Sequence, residues 1–281
     1  MRLPSLSTLI NYIWICNIYS MGQYISVILF AALVLFFWNK RKKKKKVEAF
    51  PKKWEPYIQH SVFYKRLPTE EKQQFKNRIM KFLTEVYIEG VQTEVTDEDK
   101  VLVAAAAVIP TMGFEAWYYP NLSSVLLYPA SFNKEFDFNK EDKERVIMGM
   151  VGNGRLKNTM ILSKKALHHG FDNESDKLNT GIHEFVHLID GVDGAVDGVP
   201  EQLLQEPNTL PWLKLMHDTM EEINKNQSDI RKYGGTSQQE FFAVASEYFF
   251  SRPKLMQRKH PELYAMLEKC FRQDPSDSTR L

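Results

Sequence analysis

The sequence predicts an α+β domain, with several helices around a small β-sheet, preceded by one transmembrane helix. Apolar residues recur at helical spacing after Pro68-Thr69, and short apolar runs typical of strands occur between residues 123 and 162. An uncharged apolar segment lies near the N-terminus. With 43% apolar and 26% charged residues, the 281-residue chain has the composition of a folded protein.

The N-terminal segment has the length and flanking charge of a membrane anchor. No charged residue occurs from Leu3 to Trp38, and residues 21–38, as an α-helix, would reach roughly 27 Å, about the thickness of a bilayer's hydrocarbon core. The basic run 40–46 favours a cytoplasmic location for the residues after it. We therefore expect a single-pass protein of the cell membrane whose main domain faces the cytoplasm, with Met1 or Met21 as its true start. The predicted organisation is an uncertain extension (1–20), a transmembrane anchor (21–39), a basic juxtamembrane segment (40–50) and one folded domain (51–281).

Charge and cysteine content exclude two classes of protein. Residues 1–50 hold eight of the 37 Lys and Arg residues but one of the 35 acidic residues, so the remaining chain has a net charge of −5. A mildly acidic domain is unsuited to neutralising phosphates, so no nucleic-acid partner is expected. The two cysteines, Cys16 and Cys270, support neither a disulfide framework nor a thiolate zinc site.

Each element of the domain has a local signal. Apolar positions from Phe75 to Val86 predict a helix that stops near Gly90. A second helix is expected to be capped near Thr96 or Asp97 and to end at Pro110, after an alanine stretch that permits close packing. The predicted strands are 91–95, 123–128, 160–162 and, more weakly because of Gly149, 146–151.

An H-E-x-x-H motif provides the main chemical signal. A helix capped by Asn179 or Thr180 would place His183 and His187, four residues apart, on one face, where both imidazoles can reach one ion. Glu184 then lies where it can take a proton from a metal-bound water, as in zinc peptidases with this motif. The alternative is a helix whose two histidines only form hydrogen bonds within the core.

A third zinc ligand is expected downstream, because catalytic zinc takes three protein ligands and an open position. Residues 233–250 predict a mostly apolar, buried helix that carries Glu240 and Glu247 on one face. Glu240 alternatively forms a capping box with Ser237. Glu247 alternatively forms a structural salt bridge or orients a ligand histidine.

Three stretches together resemble the Mlc titration factor A family of bacterial zinc-dependent peptidases, which is similar to the catalytic domain of anthrax lethal factor. They are H-E-F-V-H-L-I-D at 183–190, D-G-A-V-D-G-V-P at 193–200 and E-F-F-A-V-A-S-E-Y-F-F at 240–250, and the resemblance covers residues 54–275. It implies a zincin-like metallopeptidase domain with a small sheet and an H-E-x-x-H helix. Its implied Zn²⁺ ligands are His183, His187 and Glu240.

The resemblance also implies roles for two further residues. Glu184 is implied to be the general base, and Tyr233 is implied to face the site and to donate a hydrogen bond to a developing oxyanion. Lethal factor has an acidic residue four positions after its ligand glutamate, where this chain has Val244. Asp190, Asp193 and Asp197 alternate with glycines and are expected to build the turns that end the motif helix.

The resulting hypothesis is a membrane-anchored zinc metallopeptidase that hydrolyses bonds in a peptide or protein substrate with a zinc-activated water. One alternative is a membrane-tethered binding module that sequesters a transcription regulator, which the titration-factor name implies for a relative. A structural zinc domain would need a fourth protein ligand, and no cysteine is placed to supply one.

Overall fold

The computed structural model describes residues 27–36, 47–59, 61–130, 149–151, 158–173, 176–200, 204 and 206–277. The chain divides into two compact units, Met1–Lys46 and Val47–Leu281. In the described part of the second unit, the α-helices are α1 (Glu55–Gln59), α2 (Val62–Arg66), α3 (Thr69–Glu85), α4 (Asp97–Val108), α5 (Lys164–Asp172), α6 (Thr180–Asp190), α7 (Glu206–Asn224), α8 (Gln238–Ser251), α9 (Pro253–Lys259) and α10 (Pro261–Phe271). Single 3₁₀ turns occupy Lys52–Trp54, Ile109–Thr111 and Lys232–Gly235.

The predicted small sheet is confirmed. It has four strands, β1 (Tyr87–Gly90), β2 (Ser124–Tyr128), β3 (Gly149–Val151) and β4 (Thr159–Ser163), in the spatial order β1-β2-β4-β3. The first three strands in that order are parallel, and β3 pairs antiparallel to β4 at one edge. Val125 of β2 lies opposite Ile88 and Met160 of its two neighbours, and both Val125 and Met160 are fully buried. The sheet therefore contributes one face to the hydrophobic core.

Two boundaries differ from the sequence prediction. The first long helix ends at Glu85 rather than Gly90, because the chain becomes extended at Val86 and pairs with β2 from Tyr87 onward. The predicted strand at 91–95 is wrong, since the chain turns back there: a Cβ on Gly90 would lie 2.0 Å from the Thr93 carbonyl oxygen. The second helix and the two central strands are confirmed, whereas residues 146–148 of the predicted fourth strand lie outside the described residues.

The predicted localisation in the cell membrane is contradicted by the described residues. The described part of the predicted transmembrane anchor, residues 27–36, is helical. Among the described residues, no helix combines the length and apolar character needed to cross a membrane. The predicted localisation, a single-pass protein facing the cytoplasm, is corrected accordingly. Residues 21–26 and 37–46 of the predicted anchor and basic run lie outside the described residues.

Helix α6, which carries the H-E-x-x-H motif, lies in the centre of the domain between α4 and α8. The predicted close packing of the alanine stretch is confirmed, because Ala104 to Ala107 of α4 are all buried. On the facing helix, a Cβ added to Gly181 would lie 2.8 Å from the Ala106 Cβ and 3.1 Å from the Leu167 Cδ1. Small residues on both helices thus fix how closely α6 approaches α4.

The close approach of α6 to α4 predicts an unusual response to substitution. We expect Gly181→Ala to lower the free energy of unfolding by about 1 kcal/mol or more, because overpacking costs about 1–3 kcal/mol and exceeds the roughly 1 kcal/mol by which Ala favours a helix over Gly. Urea denaturation measures the change. Adding Ala106→Gly should recover part of the loss by restoring room, beyond what independent substitutions would give. A Gly181→Ala variant more stable than the parent would contradict the packing described.

Candidate metal centre

The predicted motif helix is confirmed and places both histidines on one face. The Asn179 side chain caps α6 by accepting a hydrogen bond from the Ile182 backbone N–H at 3.0 Å, and the helix ends at Asp190, with Gly191 as its C-cap. The Nε2 atoms of His183 and His187 are 3.1 Å apart. Two imidazole nitrogens therefore converge on one point, as their spacing of four residues predicts.

Helix α8 brings a carboxylate to the same point. The Ser237 hydroxyl caps α8 by accepting a hydrogen bond from the Glu240 backbone N–H at 3.3 Å. The Glu240 side chain does not complete a simple capping motif, because its Oε2 lies 3.1 Å from the His183 Nε2 and 3.5 Å from the His187 Nε2. Of the two glutamates that the sequence left open, Glu240 is the one that meets both imidazoles.

The three donor atoms suit a metal ion. Their mutual separations of 3.1, 3.1 and 3.5 Å are close to the edges of a zinc tetrahedron, about 3.3–3.6 Å for bonds of about 2.0–2.2 Å. Two imidazoles and one carboxylate are also a donor set that zinc accepts. The side chains of His183, His187 and Glu240 are 9%, 13% and 14% exposed, so the cluster is shielded but reachable from solvent. Among the described residues, these three form the group able to hold a metal ion.

Glu247 supports the cluster from inside the domain. Its fully buried carboxylate accepts hydrogen bonds from the Asn179 backbone N–H and the His183 Nδ1, each at 2.7 Å. A third partner is the guanidinium of Arg231, which sequence analysis missed. Glu247 thus meets both sequence alternatives at once, a buried salt bridge and a contact that orients the histidine ring.

Glu184 and Tyr233 differ in their burial. Glu184 follows His183 in α6 and is 5% exposed, and this burial raises the pKa of its carboxyl group against the opposing effect of the two histidines. Tyr233 is 48% exposed on the 3₁₀ turn before α8. Its ring is nearly parallel to that of His183, with centroids 6.0 Å apart, so the predicted proximity of Tyr233 to the site is observed.

His183 and Glu240 shift each other's pKa values toward the charged forms. Burial acts to lower the pKa of His183, but hydrogen bonds with Glu240 and Glu247 outweigh burial and raise this pKa to about 10. Burial acts to raise the pKa of Glu240, yet hydrogen bonds with His183 and His187 keep it well below its usual range. A metal ion that binds to His183 must therefore displace a proton from its imidazole.

The aspartates after the motif form turns, as expected. Asp193 and Asp197 accept hydrogen bonds from backbone N–H groups two residues ahead, and the buried Asp190 accepts one from the Gly198 N–H at 2.8 Å. Burial raises the pKa of Asp190 to about 6. A Cβ on Gly198, whose φ is +80°, would lie 2.4 Å from the Gln238 carbonyl oxygen. The loop after α6 is thereby held against the first turn of α8, beside Glu240.

Comparisons with known proteins agree with this geometry. Residues 36–272 match the model of the glucose-regulated metallo-peptidase M90 family. Similar proteins include the uncharacterised protein slr2042 of Synechocystis, 27% identical over 84% of this chain and 89% of that protein. The Mlc titration factor A of Salmonella arizonae is 28% identical over 69% of this chain and 79% of its own, and that of Klebsiella pneumoniae strain 342 is 26% identical over 81% and 88%.

The family match extends over most of the chain and includes the whole histidine and glutamate cluster. The similarity to Mlc titration factor A predicted from the motifs is likewise confirmed. The chain belongs to the glucose-regulated metallo-peptidase M90 family.

Proposed function

We propose that this protein is a zinc-dependent metallopeptidase that hydrolyses bonds in a peptide or protein substrate. The observation that carries the proposal is the convergence of His183 Nε2, His187 Nε2 and Glu240 Oε2 next to the buried Glu184. A site built only for stability would be closed by a fourth protein ligand. Among the residues that the structure describes, the cluster has three members, the number of protein ligands that a catalytic zinc site takes.

In the proposed site, His183, His187 and Glu240 hold the zinc ion. When bound, zinc supplies Lewis acidity, which polarises the substrate carbonyl and lowers the pKa of water. The nitrogen and carboxylate donors favour zinc over magnesium or calcium, which prefer all-oxygen sites. Glu247 fixes the His183 ring through Nδ1, so that Nε2 remains directed at the shared point.

Glu184 transfers the proton, and Tyr233 stabilises the negative charge that develops on the substrate. Glu184 takes a proton from the attacking water and later gives it to the leaving amine, a task for which a buried carboxylate with a raised pKa is suited. The half-exposed ring of Tyr233 stacks beside the ring of His183, within reach of a substrate bound at the metal. Its phenol donates a hydrogen bond to the oxyanion that develops on the substrate carbonyl.

A binding role is the second candidate, and the relatives' names favour it. Proteins called Mlc titration factor A resemble this chain over about two thirds or more of its length. A corresponding role here would be capture of an Mlc-type transcription regulator. Hydrolysis of peptide reporters measures peptidase activity and a binding assay measures capture, so experiments can separate the two functions.

Glu184→Gln tests the peptidase function. The amide keeps the size of the side chain but cannot take the proton, so hydrolysis of peptide reporters should fall by about 10² or more while zinc content stays near one per chain. Glu222→Gln, on the exposed side of α7, is the matched control and should leave turnover unchanged. Near-normal turnover in Glu184→Gln, with contaminating peptidases excluded, would contradict the mechanism.

A comparison of the two glutamates of α8 tests the ligand assignment. Glu240→Ala should abolish zinc binding and activity, because it removes one of three ligands. Glu247→Gln keeps the volume of a side chain that contacts the ligand His183 and lies outside the metal cluster, so it should weaken zinc affinity by roughly 10 to 100-fold. Metal analysis and chelator competition measure both. Zinc that survives in Glu240→Ala and disappears in Glu247→Gln would exchange the two roles.

The capture role gives a different pattern. A purified Mlc-type regulator should bind the protein in sedimentation velocity with equal affinity for wild type and Glu184→Gln, because capture needs no general base. Absence of a complex at about 10 μM of each protein, where even a micromolar interaction is mostly formed, would exclude capture as the function.

A further inference from the structure

The segment from Asp229 to Tyr233 connects the interior of the domain to the edge of the metal cluster. Asp229 accepts hydrogen bonds from the Tyr248 hydroxyl at 3.0 Å and from the His260 Nε2 at 2.6 Å. Lys177 donates to both the carboxylate and the backbone carbonyl of Asp229, at 2.7 and 2.6 Å. These contacts fix the start of the segment, which ends with the Tyr233 ring beside His183.

Arg231, in the middle of this segment, reaches the buried carboxylate behind the histidine. Its guanidinium donates to Glu247 Oε1, the same oxygen that accepts the hydrogen bond of His183 Nδ1. A second contact lies next to it in sequence: Asp229, two residues before Arg231, accepts the hydrogen bond of Tyr248, the residue after Glu247. The segment is therefore tied to α8 at two adjacent positions.

The charge balance explains why an arginine is needed there. Glu247 is 0% exposed, and a buried carboxylate is strongly destabilising unless it is paired and fully hydrogen-bonded. The Asn179 N–H occupies its Oε2, whereas Oε1 faces both His183 and Arg231. Because guanidinium is planar and always charged, it holds this carboxylate in one orientation without moving a proton.

We propose that Arg231 is a positioning residue of the metal centre: by fixing Glu247, it holds the His183 ring with Nδ1–H toward Glu247 and Nε2 toward the metal. The inference rests on the proposed zinc function and adds a residue that touches neither metal nor substrate. Arg231 is 16 residues from Glu247 in sequence and lies outside both helices of the site. Removal of its side chain leaves Glu247 Oε1 with one donor and takes the guanidinium charge away from the buried carboxylate, so the carboxylate holds the His183 ring less firmly.

The test compares Arg231→Gln, Arg231→Lys and the control Arg258→Gln, whose side chain is exposed on α9. Competition with a chromophoric chelator gives the zinc affinity of each full-length variant, and circular dichroism establishes that each is folded. We expect Arg231→Gln to bind zinc about 10 to 100-fold more weakly, because the loss of a group that orients a metal-binding side chain typically has an effect of this size. Arg231→Lys, which keeps the charge, should recover part of this loss, and Arg258→Gln should match wild type.

A measurement on the metal-free protein separates this inference from the zinc function itself. The Nδ1–H proton of His183 should give a slowly exchanging NMR signal in wild type and Arg258→Gln, and this signal should be lost in Arg231→Gln. If wild type binds no zinc, the proposed function fails, but the NMR signal still decides whether Arg231 positions His183. Unchanged zinc affinity in a folded Arg231→Gln, or an unchanged His183 signal, would overturn the proposal. If Arg231→Gln does not fold, zinc affinity of Arg231→Lys equal to wild type would do so.

Discussion

The buried carboxylate of Glu247 is the contact on which the geometry of the site depends. It joins α8 to the first turn of α6 by accepting hydrogen bonds from the Asn179 N–H and the His183 Nδ1. Its Oε2 atom binds the backbone at the start of α6, and its Oε1 atom binds the ring of His183 one turn later. A charge this deeply buried tolerates little displacement, because any lost partner leaves it uncompensated. The two site helices therefore keep a fixed mutual register, and Glu240, two turns earlier on α8, is carried to the same point as both histidines.

The same helices combine the hydrophobic core with the polar site. Helix α8 is buried from Phe241 to Phe250, and its aromatic residues contact those of α10, as in the stacked pair Phe242 and Phe271. Helix α6 is equally buried where it crosses the alanines of α4. Apolar burial on all other sides provides the stability that offsets the cost of bringing several ionisable groups together. The polar cluster is then confined to one edge, where the exposed ring of Tyr233 marks the opening to solvent.

The sequence predicted those features of the site that depend on residues close together in the chain. The spacing of His183 and His187 and the cap at Asn179 were sufficient to predict the motif helix and its ligand face. The choice between Glu240 and Glu247 depended on family resemblance, because 57 residues separate His183 from Glu240 and no periodic pattern encodes their contact. Arg231 gave no signal, since a basic residue in a loop resembles any surface group until its partner is known. The strand expected at 91–95 failed for a similar reason: alternation suggested pairing, but the turn at Gly90 and the partner β2 decided the register.

In the proposed site, one zinc ion is held by two histidines of α6 and one glutamate of α8. The most direct measurement is a crystal structure of the zinc-loaded protein with anomalous scattering recorded on both sides of the zinc absorption edge. We expect a single strong anomalous peak bounded by His183 Nε2, His187 Nε2 and the Glu240 carboxylate. A peak elsewhere, a site completed by a fourth protein ligand, or no peak at a zinc concentration that saturates the protein would contradict this assignment.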